Sequence, residues 1–188
     1  ALNAFGEIYL KQTLASGVIP QITAVFGTCG GGLALVPALT DFTFMESKKA
    51  KLFVNSPNAL DGNHESKCDT ASAKFQSEDA GIVDFTGSED EIYAGIRELV
   101  SMLPSNNEDD MSYEECTDDL NRASETLENA VGDPAVICSE IGDDHVFVET
   151  KAAYAKEMAT GFIRLNGMTV GVVGNRTESY DEDGNVAE

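Results

Sequence analysis

The chain has 188 residues, 42% of them apolar, which is enough to build a hydrophobic core. Its 12 Lys and Arg face 33 Asp and Glu, a net charge of −21, so there is no basic footprint for nucleic acid or for an anionic membrane surface. No apolar run reaches the length of a bilayer span, and no charged-then-apolar leader opens the chain; the expectation is a cytoplasmic protein with no direct membrane insertion.

The charge is unevenly placed. Residues 1–76 carry six acids and six bases, whereas residues 77–188 carry 27 acids and six bases. The acidic part reads as a solubility device. In the neutral part an anionic ligand meets no net repulsion. Cys29, Cys68, Cys116 and Cys138 stand far apart with no Cys-x-x-Cys pair, which points to reduced thiols and away from a zinc or redox pair. His64, Glu65, Cys68 and Asp69 have metal-like spacing, but no further ligands follow, and no metal is expected.

In chain order, residues 2–16 read as a helix with apolar Leu2, Phe5, Ile8 and Tyr9, broken at Ser16-Gly17. The apolar run 18–26 reads as a buried strand, followed by a turn at Gly30-Gly31-Gly32 and a helix over about 31–39. Two short strands are expected at 41–45 and 50–54, a helix inside the polar stretch 61–76, and a strand at 81–85. Ser88-x-x-Glu91 is a capping box opening a helix with Ile92, Ile96, Leu99, Val100 and Leu103 on one side, closed by Pro104. The acidic stretch 105–132 reads as a solvated linker with a short helix after Ser112. A helix over 133–141 and a strand over 145–149 follow. Strands 158–165 and 168–174 then form a hairpin around Asn166-Gly167. The order of strands and helices around the glycine turn suits a layered α/β fold.

The glycine turn is where chemistry concentrates. Three residues without Cβ let backbone approach a ligand and adopt positive φ, and N–H groups at a helix start have no intrahelical partner. Such a turn can serve as an oxyanion hole; it can equally be a tight structural turn. A P-loop would need a Lys after Gly32, and a dinucleotide fingerprint would need Gly-x-Gly-x-x-Gly; neither is present. Cys29 beside the turn reads as a small packing residue, since a catalytic thiol needs a base and no His is near in sequence.

Phe5-Gly6-Glu7-Ile8-Tyr9, Leu14 to Ile22, Gly27-x-Cys29-x-Gly31-Gly32 and Pro37 to Phe42 form one block; Tyr154, Gly161 to Gly167 and Val170 to Asn175 form a second. Together they resemble the carboxyltransferase subunit of biotin-dependent acyl-CoA carboxylases and decarboxylases. The resemblance implies an α/β crotonase-like layered fold. Residues 1–104 would be the second half of an N-terminal acyl-CoA-binding domain, 105–132 an acidic connector, and 133–188 the start of a similar biotin-side domain. The chain would then be a piece of a longer polypeptide.

The implied reaction is carboxyl transfer between carboxybiotin on a carrier protein and the α-carbon of a short-chain acyl-CoA such as propionyl-CoA or methylmalonyl-CoA. On this resemblance Gly31 and Gly32 donate backbone N–H groups to the hole that holds the acyl-CoA enolate, and Cys29 and Gly30 shape the turn beside the substrate. Asp41 ties down the loop. Biotin on a biotin carboxyl carrier protein, a coenzyme A thioester and a homo-oligomer of the full-length chain are the implied cofactor, substrate and partners. The isolated fragment is expected to be inactive, because the strand completing the first hole and nearly all of the second domain lie outside it. Residues 55–80 depart from the family, with Ser56-Pro57 for Gly-Pro and no Glu-Leu-Gly-Gly-Ala near Ser72-Ala73, so acyl specificity does not carry over. Two other readings stay open: a crotonase-like hydratase or hydrolase, and a non-catalytic acidic interaction module.

Overall fold

The computed structural model describes residues 2–109, 113–124, 126–130 and 132–178. They divide into two units, Ala1–Val100 with Pro104–Asp110, and Ser101–Leu103 with Met111–Glu188.

Unit 1 opens with helix α1, Leu2–Ala15. Ser16 to Ile19 close it as a turn, with the Val18 and Ile19 N–H groups donating to Ala15 O. Pro20 lacks an N–H for a ladder, and the strand expected over 18–26 is shorter, β1, Ile22–Val25. A second strand, β2, Thr28–Gly30, forms in the stretch that leads into the glycine turn. The two belong to different sheets, with the corner at Phe26-Gly27. The chain continues through a 3₁₀ turn, Gly31–Ala34, and helix α2, Leu35–Ala38. The single helix expected over 31–39 is thus divided. Pro37 falls in the first turn of α2, where its missing N–H has no helical partner to lose.

Strand β3, Phe42–Glu46, returns to the first sheet and β4, Lys51–Phe53, to the second. No helix fills 61–72; it comes later as α3, Ala73–Glu78, capped by Ser72 Oγ accepting from Phe75 N at 3.2 Å. Strand β5, Phe85–Gly87, lies beyond the expected 81–85. The sheets are β1-β3-β5 and β2-β4, all pairs parallel. The chain therefore alternates between two sheets, turning a corner each time, with α2 and α3 on the return paths.

Helix α4, Glu89–Met102, starts at the expected capping box. Ser88 N donates to Glu91 Oε2 at 2.7 Å and Glu91 N to Ser88 Oγ at 3.4 Å. Its buried stripe is Ile92, Leu99 and Met102 with Ile96 half-buried, while Val100 is 53% exposed. Several apolar residues compete near the helix end, and the 3.6-residue period selects Met102. The core of unit 1 gathers Phe44, Met45, Leu52, Val83, Ile92 and Leu99, all at most 3% exposed. Phe44 stacks on Phe85 with centroids 4.4 Å apart.

Unit 2 is a meander. Helix α5, Pro134–Ile141, is capped by Asp133 Oδ1 accepting from Ala135 N at 2.9 Å. Strands β6, Phe147–Thr150, β7, Met158–Leu165, and β8, Met168–Asn175, pair antiparallel in that order. β6 starts two residues later than expected, because Asp143–His145 form a 3₁₀ turn with Asp144 and His145 at positive φ. The hairpin turn is as expected: Asn166 at φ 52° and Gly167 at φ 81° give the two left-handed residues of a type I′ loop. Asp143 accepts from both of their N–H groups, at 3.0 and 2.6 Å.

The expected short helix after Ser112 begins outside the described residues. From Tyr113 onward the described residues hold one 3₁₀ turn, Leu127–Asn129, and no α-helix before α5. The segment is bonded into unit 2. Glu114 N donates to Gly167 O at 3.0 Å, Arg122 Nη2 to the carbonyls of Glu140 and Gly142, and Ser124 Oγ to Glu140 Oε2.

Candidate active site

The glycine turn sits at the carboxyl end of β2. Gly30 is extended at φ −124°, ψ 159°, and Gly31 turns the chain with φ +63°. That conformation is costly for any residue with a Cβ. The next residues wind into the 3₁₀ turn, whose first N–H groups have no acceptor inside it. Leu35 N–H closes the turn on the carbonyls of Gly32 and Leu33. The Gly31 backbone is half-buried and Gly32 is exposed.

Each glycine has its own neighbours. A Cβ on Gly30 would lie 2.9 Å from the Phe53 ring, so β4 packs directly on the turn. A Cβ on Gly32 would lie 3.2 Å from Tyr9 Oη and 3.3 Å from the Phe5 ring. The Tyr9 hydroxyl donates to Gly32 O. Neither Tyr9 nor Phe5 stood out in the sequence as a site neighbour. Their i, i+4 spacing puts both on one face of α1, but nothing in the sequence says that this face meets the turn.

Cys29 is 9% exposed and belongs to a core cluster with Val25, Ala34, Met45, Leu52 and Val83. Burial pushes its thiol up from the ordinary value, the opposite of what a nucleophile needs. Beside it an open cleft of about 250 Å³ is lined by Phe26, Cys29, Leu33, Val36 and Pro37 among others. The cleft is mostly apolar and adjoins the turn, so it offers a short aliphatic group a place to lie.

Asp41 ties two strands together. Gln21 N donates to Asp41 Oδ2 at 2.8 Å, and Asp41 N donates back to Gln21 O at 2.9 Å. In the divergent loop, Lys51 on β4 bonds Glu65 at 2.9 Å and also Asp69, while His64 Nδ1 pairs with Ser66 Oγ at 2.6 Å. Of the side chains with metal-like spacing, His64, Glu65 and Asp69 are thus engaged with other partners. Among the described residues no group of His, Cys, Asp and Glu is arranged to hold a metal ion.

Unit 2 has a cavity of its own, about 310 Å³, which sequence reasoning missed. It is lined by Glu114, Glu115, Cys116, Asp143, Asp144 and Arg164 among others. These residues are separated by up to fifty positions, and only the hairpin and the 113–118 segment bring them together. Arg164 Nη1 pairs with Glu114 at 2.7 Å.

Residues 1–186 match the family described as the carboxyl transferase domain. The chain is 35% identical over 187 residues to the carboxyltransferase subunit of propionyl-CoA carboxylase from Haloferax mediterranei, covering 94% of this chain and 36% of that one. It is 33% identical over 188 residues to the methylmalonyl-CoA decarboxylase subunit alpha of Veillonella parvula, with 94% and 37% covered. The chain thus spans little more than a third of the length of these relatives. Among solved structures it resembles the hexameric transcarboxylase 12S with hydrolysed methylmalonyl-coenzyme A bound. There the TM-score is 0.82 and the identity 28%, over 93% of this chain and 36% of that one. Among the described residues no helix is long and apolar enough to cross a membrane.

Proposed function

Because the chain belongs to the carboxyl transferase family, we propose that it carries the thioester-holding turn of an acyl-CoA carboxyltransferase. Residues 1–104 are assigned to the second half of the acyl-CoA domain, 105–132 to the connection, and 133–188 to the start of the biotin-side domain. The observation that carries the reading is the Gly30-Gly31-Gly32 turn at the end of β2, with Gly31 left-handed and an apolar cleft beside it.

The chemistry follows from charge. Exchanging a carboxyl group at the α-carbon of a thioester passes through an enolate, with negative charge on the thioester oxygen. Oriented backbone N–H groups stabilise that charge without any reorganisation during the step. Gly31 and Gly32 are the proposed donors, and Cys29 and Gly30 shape the turn that presents them. The cleft holds the short acyl chain, and the turn orients its carbonyl. Biotin on a carrier protein supplies or takes the carboxyl group; its site is assigned to the rest of the biotin-side domain, and the residues here act on the thioester alone. The substrate class is a short-chain acyl-CoA such as propionyl-CoA or methylmalonyl-CoA, handled by a cytoplasmic homo-oligomer of the complete polypeptide with a biotinylated carrier protein as partner. The balanced charge of residues 1–76, which hold the turn, leaves no net repulsion there for an anionic ligand.

The test is to mix the complete polypeptide that contains these residues with free biotin and, in turn, malonyl-, methylmalonyl- and glutaconyl-CoA. Biotin-dependent loss of the carboxyl group from one thioester is expected. A folded oligomer that turns over none of them would overturn the reading.

A further inference from the structure

We propose that Tyr9 is a positioning residue for the thioester-holding turn, acting through the Gly32 carbonyl; this rests on the assignment of Gly31 and Gly32 made above. Helix α1 buries no residue, and Leu2 and Leu14 are 90% and 69% exposed. Core burial therefore does not explain where the helix lies. Its half-buried residues Phe5, Tyr9, Gln12 and Ala15 form one face, and the side-chain polar contacts of that face run to the turn and its flanks. The Tyr9 hydroxyl donates to Gly32 O, Gln12 Nε2 reaches Val36 O at 3.5 Å, and Gln21 Nε2 donates to Gln12 O at 3.0 Å. The Phe5 and Tyr9 rings are stacked with centroids 6.0 Å apart. They approach one side of Gly32 so closely that a Cβ there would press on both.

A run of glycines has soft torsions on both sides of each Cα, which is a poor property for donors that must stay aimed. The Gly32–Leu33 peptide is gripped on its carbonyl by two donors, Tyr9 O–H and Leu35 N–H. With that plane held, the neighbouring plane that carries the Gly32 N–H can turn only through Gly32 φ coupled to Gly31 ψ, instead of through three or more soft torsions. The hydroxyl of Tyr9 thereby converts a flexible glycine turn into a fixed one. Fixed donors lower the barrier more than they tighten ground-state binding.

The experiment compares the complete polypeptide with its Tyr9→Phe variant, which keeps the ring stack and removes the hydroxyl. With methylmalonyl-CoA and free biotin, kcat is expected to fall about two- to tenfold, the effect of one hydrogen bond, while KM stays unchanged. A CoA analogue carrying a nitronate in place of the enolate should bind more weakly by the same factor, and coenzyme A itself should bind as before. Equal kcat in the two active proteins would overturn the proposal and leave the carboxyltransferase reading intact. So would a loss of affinity shared by coenzyme A and the nitronate, or a lower Tm with unchanged kcat, since each reports a structural role only. Absence of turnover in the unmodified protein would overturn the reading itself, and the proposal with it.

Discussion

At the scale of single residues, the site depends on what is missing as much as on what is present. Gly31 has open space where a Cβ would go, but its φ is +63°. Gly31→Ala should therefore destabilise the protein by about 1 kcal/mol through backbone strain alone, read as a lower denaturant midpoint at unchanged m-value. An unchanged midpoint would mean the turn is not held left-handed. Cys29 makes the complementary point. It is buried with its thiol pushed up, whereas Cys68 is exposed. Alkylation of the native protein followed by peptide mass spectrometry should label Cys68 first, with Cys29 and the equally buried Cys138 last. Rapid labelling of Cys29 would contradict its role as core. Gly31, Gly32, Cys29 and Asp41 were all legible in the sequence as residues. Their neighbours Tyr9, Phe5 and Phe53 were not, because nothing local relates position 9 or 53 to position 32.

At the scale of elements, local chemistry set the ends and tertiary packing set the lengths. The Ser88-Glu91 box closes reciprocally, with both backbone N–H groups satisfied by side chains. Ser88→Ala should lower stability by about 1 kcal/mol, measured by chemical denaturation. A neutral outcome would show that α4 is held by its buried stripe alone. The β7–β8 hairpin is fastened from outside by Asp143, which is 7% exposed and accepts from Asn166 and Gly167 N–H. Asp143→Ala leaves those two N–H groups without this acceptor and should cost about 1–3 kcal/mol, more than the cap. The turn dipeptide was readable in sequence; its latch, more than twenty residues upstream, was not. The same limit explains why the helix expected inside 61–76 forms only at the end of that stretch, as α3. The residues before it are held to β4 through Lys51, Glu65 and Asp69.

At the scale of the whole molecule, acidity governs the response to pH. Among the described residues, four carboxylates are held below their ordinary range. Glu46 accepts from the Lys49, Lys48 and Ala50 N–H groups, Glu91 from Ser88, Asp118 from Asp144 N–H beside Arg122, and Glu140 from the Ser124 hydroxyl. A folded pKa below the unfolded one means the stabilisation is complete above the unfolded value, about 4 for Asp and Glu. It is lost as pH falls through the folded values. Thermal unfolding of the complete polypeptide should show Tm dropping below about pH 4, and Glu46→Gln should weaken that dependence. A Tm independent of pH in this range would deny these carboxylates their native bonds. The α/β crotonase-like layered class and the family were legible from the sequence alone, because glycines, turn pairs and caps act through near neighbours and leave short, recognisable strings. So were the hairpin turn and the start of α4. What only the tertiary structure decided was the assignment of β1 and β2 to different sheets, the seating of α1 on the glycine turn, and the bonding of Glu114, Arg122 and Ser124 into unit 2. Each is a contact between residues far apart in the chain, where packing and unsatisfied backbone groups, not local propensity, choose the partner.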